Sequence, residues 1–549
     1  MVLYYKRSFL FPKDNKNFFI FIQTTFFIIQ TYHSMNRFLL FSFLFYAFSP
    51  VHAQEKTQNI EIRYGNVFKN DEREIPTDII GHDKNGYYLL YSGGRFGQKK
   101  NKSIRKFSPD LVPAGEEIDL IPENQEGESQ TLGIAQFDDK IIHVWSLTTE
   151  SSKQFYYQLV NLDNFSLEES ALITEIKDEE SYIHQAYNSF IISPDRSRIF
   201  LLYSMPVKKG LKAKLHLKVF DTGFREINTE EYGIPVPDDQ FSIQDLFFSE
   251  EGEPMILAKK FDSPRTLKED RKKGYQYMLY RLKEGQFQQI ASIPIGDKHL
   301  RILEHVFLSD GSLVLTGFYS VKNMYAISGV YFSRIDLKTG KTTTKEHSFD
   351  ETFYTKLIDN DKKKARISKR LKKGKLEAPF YLMRNSFRMP GDHILLMAEQ
   401  IHTFTQNFVT RFFHENLALV KLDSKGNLAW SNQIAKKNIK TNVGIYSSYY
   451  PVKRNDDLFL LYNGNTANLG HRTGHVANSF AQNGRAFIAT EVKNDGTYKR
   501  QVLATREEME GITIRPSLAN WINENTLLLF GQDIDNLKNQ RFLKIIFKP

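Results

Sequence analysis

Ile191-Ile-Ser-Pro-Asp-Arg-Ser-Arg-Ile-Phe-Leu-Leu-Tyr203 sets two short apolar runs on either side of a Ser-Pro-Asp turn. Runs of this length, bounded by turn residues, read as a pair of antiparallel strands. The second run recurs along the chain as Tyr88-Leu-Leu-Tyr91, Ile141-Ile-His-Val-Trp145, Met255-Ile-Leu257, Leu313-Val-Leu315, Ile394-Leu-Leu-Met397, Leu458-Phe-Leu-Leu-Tyr462 and Leu527-Leu-Leu-Phe530. Measured from Leu90 through Val144, Leu202, Leu257, Leu315, Leu396 and Leu461 to Leu529, the spacings are 54, 58, 55, 58, 81, 65 and 68. A period of this size marks a repeat architecture.

Each run has companions. A strand and a tight polar turn precede it, as in Ser249-Glu-Glu-Gly-Glu253 and Ser309-Asp-Gly-Ser312. An alternating strand, a glycine turn such as Asn494-Asp-Gly496 and a fourth strand follow it. The unit is therefore strand A, turn, B, loop, C, turn, D, and four-stranded units at this period stack radially into a β-propeller. The last unit has A, B and C strands and then ends at Pro549, while an orphan strand at 59–67 precedes the first A strand. That strand can supply the missing D and close the ring. The expectation is an all-β chain: a single propeller of eight four-stranded blades, or seven if the first unit belongs elsewhere.

Ile335-Asp-Leu-Lys-Thr-Gly340 and Val420-Lys-Leu-Asp-Ser-Lys-Gly-Asn-Leu-Ala-Trp430 resemble the turn-and-tryptophan repeats of secreted bacterial propellers of the quinoprotein-like and WD-repeat-like type. The tryptophan stands at one turn only, so the resemblance implies the fold and brings no functional residue with it.

Met35-Asn-Arg37, the apolar run 38–48 and Ser49-Pro-Val51-His-Ala53 have the three parts of a secretory signal peptide, cleaved after Ala53. Translation is expected to start at Met35, with 1–34 an over-called start; the alternative is an uncleaved anchor. Eleven apolar residues are too few to span a bilayer. The mature chain, 54–549, is expected to be exported to the periplasm, cell envelope or medium, with no membrane span. The 549 residues include no cysteine, which excludes disulfides, thiolate metal sites and a cysteine nucleophile. Net charge is +10 overall and +6 after removal of 1–53, and residues 356–375 alone carry +8. The basic character is local, in a helical insertion expected at 351–378.

Loop length supplies the functional signal. B–C and D–A connections leave a four-stranded meander at the same end, and the long ones are all of these two kinds: 92–102, 205–214, 259–274, 320–328, 400–415, 463–483 and 532–540. Binding sites develop on loops held by a rigid scaffold. Basic loops on this face alternate with acidic ones at 115–130 and 174–187. Lys362, Lys363, Arg366, Lys369 and Arg370 are candidate contacts for a polyanion or a partner, and equally suit a solvated amphipathic helix. At the start of the A strands, Asn188, Gln244, Asp245, Glu304, His305, Arg384 and Arg515 fall into two columns that would line the channel mouth and suit a small polar ligand or a sugar.

Other signals are thin. His471-Arg-Thr-Gly-His475 lacks the glutamate and helix of a zinc hydrolase. The aromatics of 400–415 read as a loop packed on the next blade or as a sugar-stacking ridge. No phosphate loop or nucleophile elbow occurs, so no metal or other cofactor is expected, and export argues against nucleic acid. The reading is a non-enzymatic binding or scaffold module for a glycan or protein partner. The alternative is a secreted glycan hydrolase or lyase working from channel-mouth carboxylates and His305.

Overall fold

A computed structural model describes residues 59–548, apart from 71–73, 94–100, 121–126, 178–186, 206, 209, 265–273 and 471–475. The leader and the His471–His475 motif lie outside the described residues, as do parts of the loops at 92–102, 205–214 and 259–274 and of both acidic connections.

Eight antiparallel sheets follow one another in chain order, with a small two-stranded ladder beside them. Blade 1 comprises Ile75–Asp83, Gly86–Gly93, Asn101–Phe107 and Pro113–Asp119, in the spatial order A-B-C-D. Blades 2 to 7 repeat that order. The eighth comprises Ile512–Asn523, Thr526–Asp533 and Asn539–Phe547, and its outer strand is Ile60–Tyr64 from the other end of the chain. Five residue pairs, from Ile60 opposite Phe547 to Tyr64 opposite Leu543, join them. The protein is an eight-bladed β-propeller closed by its N-terminal strand.

The apolar core explains the recurring runs. Among the described residues its eight large clusters each lie between two adjacent blades, and a small ninth joins Leu357 to Ala435 and Val476. In blade 6, Ile394, Leu396 and Ala398 face blade 5, while Leu395 and Met397 face blade 7. A B strand buried on both faces is apolar at nearly every position, which produces a continuous run instead of an alternation. The last cluster joins Ile79, Leu89 and Tyr91 of blade 1 to Leu518, Phe530 and Phe542 of blade 8, so the ring has no free face. Asn520 adds a side-chain hydrogen bond to the Ile79 carbonyl at 3.0 Å.

Neighbouring blades are also pinned through their outer turns. Trp430 of blade 6 donates its indole N–H to the Asn494 carbonyl of blade 7 at 2.9 Å. Gly496, in the same turn, has φ +84, and a Cβ there would sit 2.7 Å from the Trp430 ring. Only glycine satisfies both the left-handed backbone and the ring.

Two features stand on the end of the ring from which B–C and D–A connections emerge. Between blades 5 and 6 lie α1 (Glu351–Thr355) and α2 (Asp361–Lys372), each capped by a preceding Asp or Asn side chain, Asp350 and Asn360. The second corrects the sequence reading. Residues 400–415 are not an open loop but the continuation of two fourteen-residue strands, His393–Gln406 and Val409–Leu422, turning at Asn407 and Phe408. The β-branched and aromatic residues of the stretch pair with each other across the hairpin instead of folding back onto a blade. Elsewhere B–C connections do include irregular segments, such as 476–484 in blade 7.

The ring's dependence on its closing strand is testable. A chain beginning after Lys69 leaves Asn539–Phe547 with an open edge and uncovers the core that Ile60 and Ile62 pack against. Its melting temperature should fall sharply with a gain in aggregation, and a synthetic peptide of residues 59–69 should restore both.

Candidate functional site

The inner strands of the ring are interrupted near their starts, at the loop-bearing end. In blade 1 the pairing slips at Thr77, in blade 2 at Leu132, in blade 4 at Gln244, in blade 6 at Arg384 and in blade 8 across 515–518. In blade 5 the inner strand breaks between His299–Leu300 and Glu304–Phe307. In blade 7 it begins only at Tyr450, after Ser448 at φ 77. A bulge frees one residue from the ladder and re-aims its side chain. Repetition around the ring turns a packed wall into a ring of presented side chains.

The seven channel-mouth residues separate into distinct environments. Asp245 of blade 4 and His305 of blade 5 meet, Oδ2 to Nδ1, at 3.0 Å. The imidazole is held flat on Phe247, with ring centroids 3.9 Å apart. Gln244, the bulge residue beside Asp245, turns back to donate to Ser242 Oγ at 2.8 Å. Asn188 opens the inner strand of blade 3 opposite Tyr203, and Glu304 lies opposite Thr316.

Arg384 belongs to a buried ionic cluster on blades 6 and 7 that the columns did not include. At its centre is Glu399, whose side chain is completely buried. Lys436, also completely buried, reaches Glu399 Oε1 at 2.9 Å. Oε2 accepts from Ser448 Oγ at 2.6 Å and lies 3.4 Å from His414 Nδ1 and 3.7 Å from Arg384 Nε. The remaining donors of Lys436 go to the His414 carbonyl and Asn438 Oδ1. Burial opposes ionisation of Glu399, but Lys436, His414 and Arg384 together hold its carboxyl well below the usual range. The cluster lies where the tall hairpin leaves blade 6 and ties it to blade 7.

Arg515 is the exception among the charged groups. It is 4% exposed, and its Nε and Nη1 find no hydrogen-bond partner among the described residues. Its electrostatic neighbours are the phenols of Tyr446 and Tyr91, and burial pulls its pKa down to about 10. Both phenols are themselves turned to glutamines: Tyr446 donates to Gln532 at 2.9 Å and Tyr91 to Gln540 at 3.4 Å. A buried guanidinium without a carboxylate is costly, and the group that would balance it is an anion.

Lys362, Lys363, Arg366, Lys369 and Arg370 all lie exposed along α2. Sequence reasoning missed Glu399, Lys436 and His414. A signal existed for the first, since Glu399 directly follows the apolar run of a B strand, where a carboxylate needs a buried partner. Nothing marked Lys436 as that partner.

A cleft of about 410 Å³ opens at the other end of the ring, between the A–B turns of blades 3 and 4, lined by Asp195, Arg198, Glu250 and Phe307 among others. The Asp195 carboxylate is committed to the hydroxyls of Ser193 and Ser197, so this end is built from closed turns. Among the described residues no group of three or more His, Asp or Glu could hold a metal ion.

No family model matches the chain, and no curated protein matches it. Solved structures similar to it include the polysaccharide lyase Uly1, at 9% identity and TM-score 0.37, covering 89% of this chain and 100% of that one. Another is Sqt1 of Chaetomium thermophilum bound to the N-terminus of ribosomal protein L10, at 10% identity and TM-score 0.40, covering 88% and 98%. A third is the β-propeller domain of Nup133 from Vanderwaltozyma polyspora, at 10% identity and TM-score 0.33, covering 77% and 100%. Likeness at this level concerns the course of the chain alone.

The ionic cluster gives a measurable consequence. Glu399→Gln strands Lys436 in a buried site and should destabilise the protein by about 3 kcal/mol or more. Glu399→Gln combined with Lys436→Met should recover a large part of that loss in urea unfolding. Because the folded-state pKa of Glu399 lies below its unfolded value, its contribution is present above the unfolded pKa and disappears as pH falls through the folded one. The Glu399→Gln penalty should therefore shrink in strong acid.

Proposed function

We propose that the protein is an exported binding propeller that takes an anionic glycan at the mouth of its channel, on the loop-bearing end. One observation carries this reading: Arg515 is held buried, among phenols and amides, with two guanidinium nitrogens unused. A carboxylate or sulfate on a sugar is the kind of group that would balance this guanidinium charge. The Tyr446–Gln532 and Tyr91–Gln540 pairs keep its surroundings neutral, so an anion would meet no competing carboxylate among them. The bulged inner strands supply further polar side chains at the same level of the ring. Export rests on the three-part leader in the sequence.

Arg515→Gln removes the unbalanced charge, so the melting temperature should stay level or rise. Affinity for uronate- or sulfate-bearing oligosaccharides should fall by roughly tenfold or more, the worth of a charge-assisted hydrogen bond. A glycan array on which wild type prefers neutral sugars, or on which the variant binds acidic ones as tightly as wild type, would overturn the proposal.

A second reading has its own observation. The Asp245–His305 contact directs Nδ1–H of the imidazole at a carboxylate and leaves Nε2 as a base, the arrangement required for removing a proton from a substrate. Under this reading the site turns over an acidic glycan, and His305→Gln or Asp245→Asn abolishes product formation without moving the melting temperature. A wild-type protein inert on uronate-containing polymers would remove it.

A further inference from the structure

The hairpin that rises from blade 6 ends in a turn that stability alone does not explain. Asn407 and Phe408 both adopt left-handed backbone, at φ 50 and 63. A two-residue hairpin turn of this kind favours Asn-Gly, because the second position places a Cβ against the backbone. Here that position holds phenylalanine, and its ring is fully exposed. Phe404 is more than half exposed, and Val409 is exposed beside it. Cross-strand pairing puts Phe404 opposite Arg411 and Gln406 opposite Val409, so Phe404 and Val409 share one side of the ribbon below the tip. Every residue from 403 to 409 is exposed, and the apolar end stands clear of the ring.

The base of the ribbon is rigid. Phe380 stacks on His402 and His402 on Phe413, with centroids 4.9 and 4.3 Å apart. Asn438–Thr441 adds a third strand against Arg411–His414, and the Glu399 cluster fixes the root. Phe380 also leads back to α2: Ala378–Pro379 pairs with Ala326–Ile327, and Lys322 donates to the Gly374 carbonyl at the end of the helix. The end of α2 therefore lies within about 25 Å of the hairpin root, by the reach of the seven residues between. On α2 itself, Ile367 and Leu371 are turned inward, while Lys362, Lys363, Arg366, Lys369, Arg370 and Lys372 are exposed. Of the α2 bases only Lys364 has an ion pair among the described residues, at 3.8 Å to Asp361.

We propose that the Phe404–Phe408–Val409 tip and the basic face of α2 together dock the protein on the surface of an anionic lipid bilayer. The tip is a narrow apolar wedge, and the exposed charge on α2 is mostly lysine. Lysine is depleted in protein–protein interfaces, whereas a lysine-rich segment next to an apolar anchor is what a negatively charged headgroup layer attracts. Either element alone binds marginally, and stable peripheral attachment takes both. Among the described residues no helix is long and apolar enough to cross a membrane, so the contact is peripheral.

The test is co-sedimentation of the full protein with phosphatidylcholine vesicles, with and without about one third phosphatidylglycerol. Wild type should bind the anionic vesicles and release them as salt rises. Phe408→Gly relieves the turn, so its melting temperature should be unchanged or higher while vesicle affinity drops roughly tenfold or more. Charge reversal at Lys362, Lys363, Arg366 and Lys369 should cost about a hundredfold or more. With Phe408→Trp, tryptophan emission should shift to the blue on anionic vesicles only. Three results would overturn the proposal: no binding to anionic vesicles; binding that depends on α2 but not on Phe408, which is simple polyanion attraction; or emission from the Phe408→Trp variant that responds to a protein fraction and not to lipid. Arg515 lies outside both elements, so glycan binding by Phe408→Gly should equal wild type, and the two proposals fail separately.

Discussion

No blade of this protein can bury its own hydrophobic surface. The B strand at the middle of each sheet is apolar on both sides, and each side is covered only by the next blade. Stability is therefore a property of the closed ring, and closing it needs one more strand than the last repeat contains. Ile60–Tyr64 is that strand, paired along five residues with Asn539–Phe547. Side-chain packing between blades 8 and 1 then completes a circle in which every B strand has two neighbours.

A ring held together from the middle of its sheets leaves its inner and outer edges free to vary. The inner strands use that freedom by bulging at one level, so that residues such as Gln244 and Arg384 leave the ladder. Polar groups placed there meet across blade boundaries, and the outcome depends on what they meet. Asp245 finds His305, and Glu399 finds Lys436, so those charges are balanced within the fold. Arg515 is set among neutral phenols and amides, with no carboxylate beside it among the described residues. The outer connections use the same freedom to build α2 and the tall hairpin.

Much of this architecture could be read in advance. A strand buried on both faces writes an unbroken apolar run, and eight such runs favoured eight sheets over seven, the alternative in which the first unit belonged elsewhere. The missing D strand of the last unit and the unclaimed strand at the start were visible for the same reason. The hairpin at 400–415 was not, because its exposed half lacks the apolar alternation of a packed strand and is held by cross-strand pairing and by Asn438–Thr441. Glu399 and Lys436 lie on opposite sides of the C strand in sequence, and only the sheet brings them to 2.9 Å.

From the linear order of residues alone follow the eight-sheet ring, its closing strand and the inequality of its two ends, since local apolar patterning and turn chemistry decide each of these. Tertiary structure alone decided which charges are neutralised. Ion pairing depends on distances of a few ångströms between residues of different blades, and the strand pattern carries no record of them. Asp245 with His305, Glu399 with Lys436, and Arg515 with no carboxylate among the described residues are three results of the same packing.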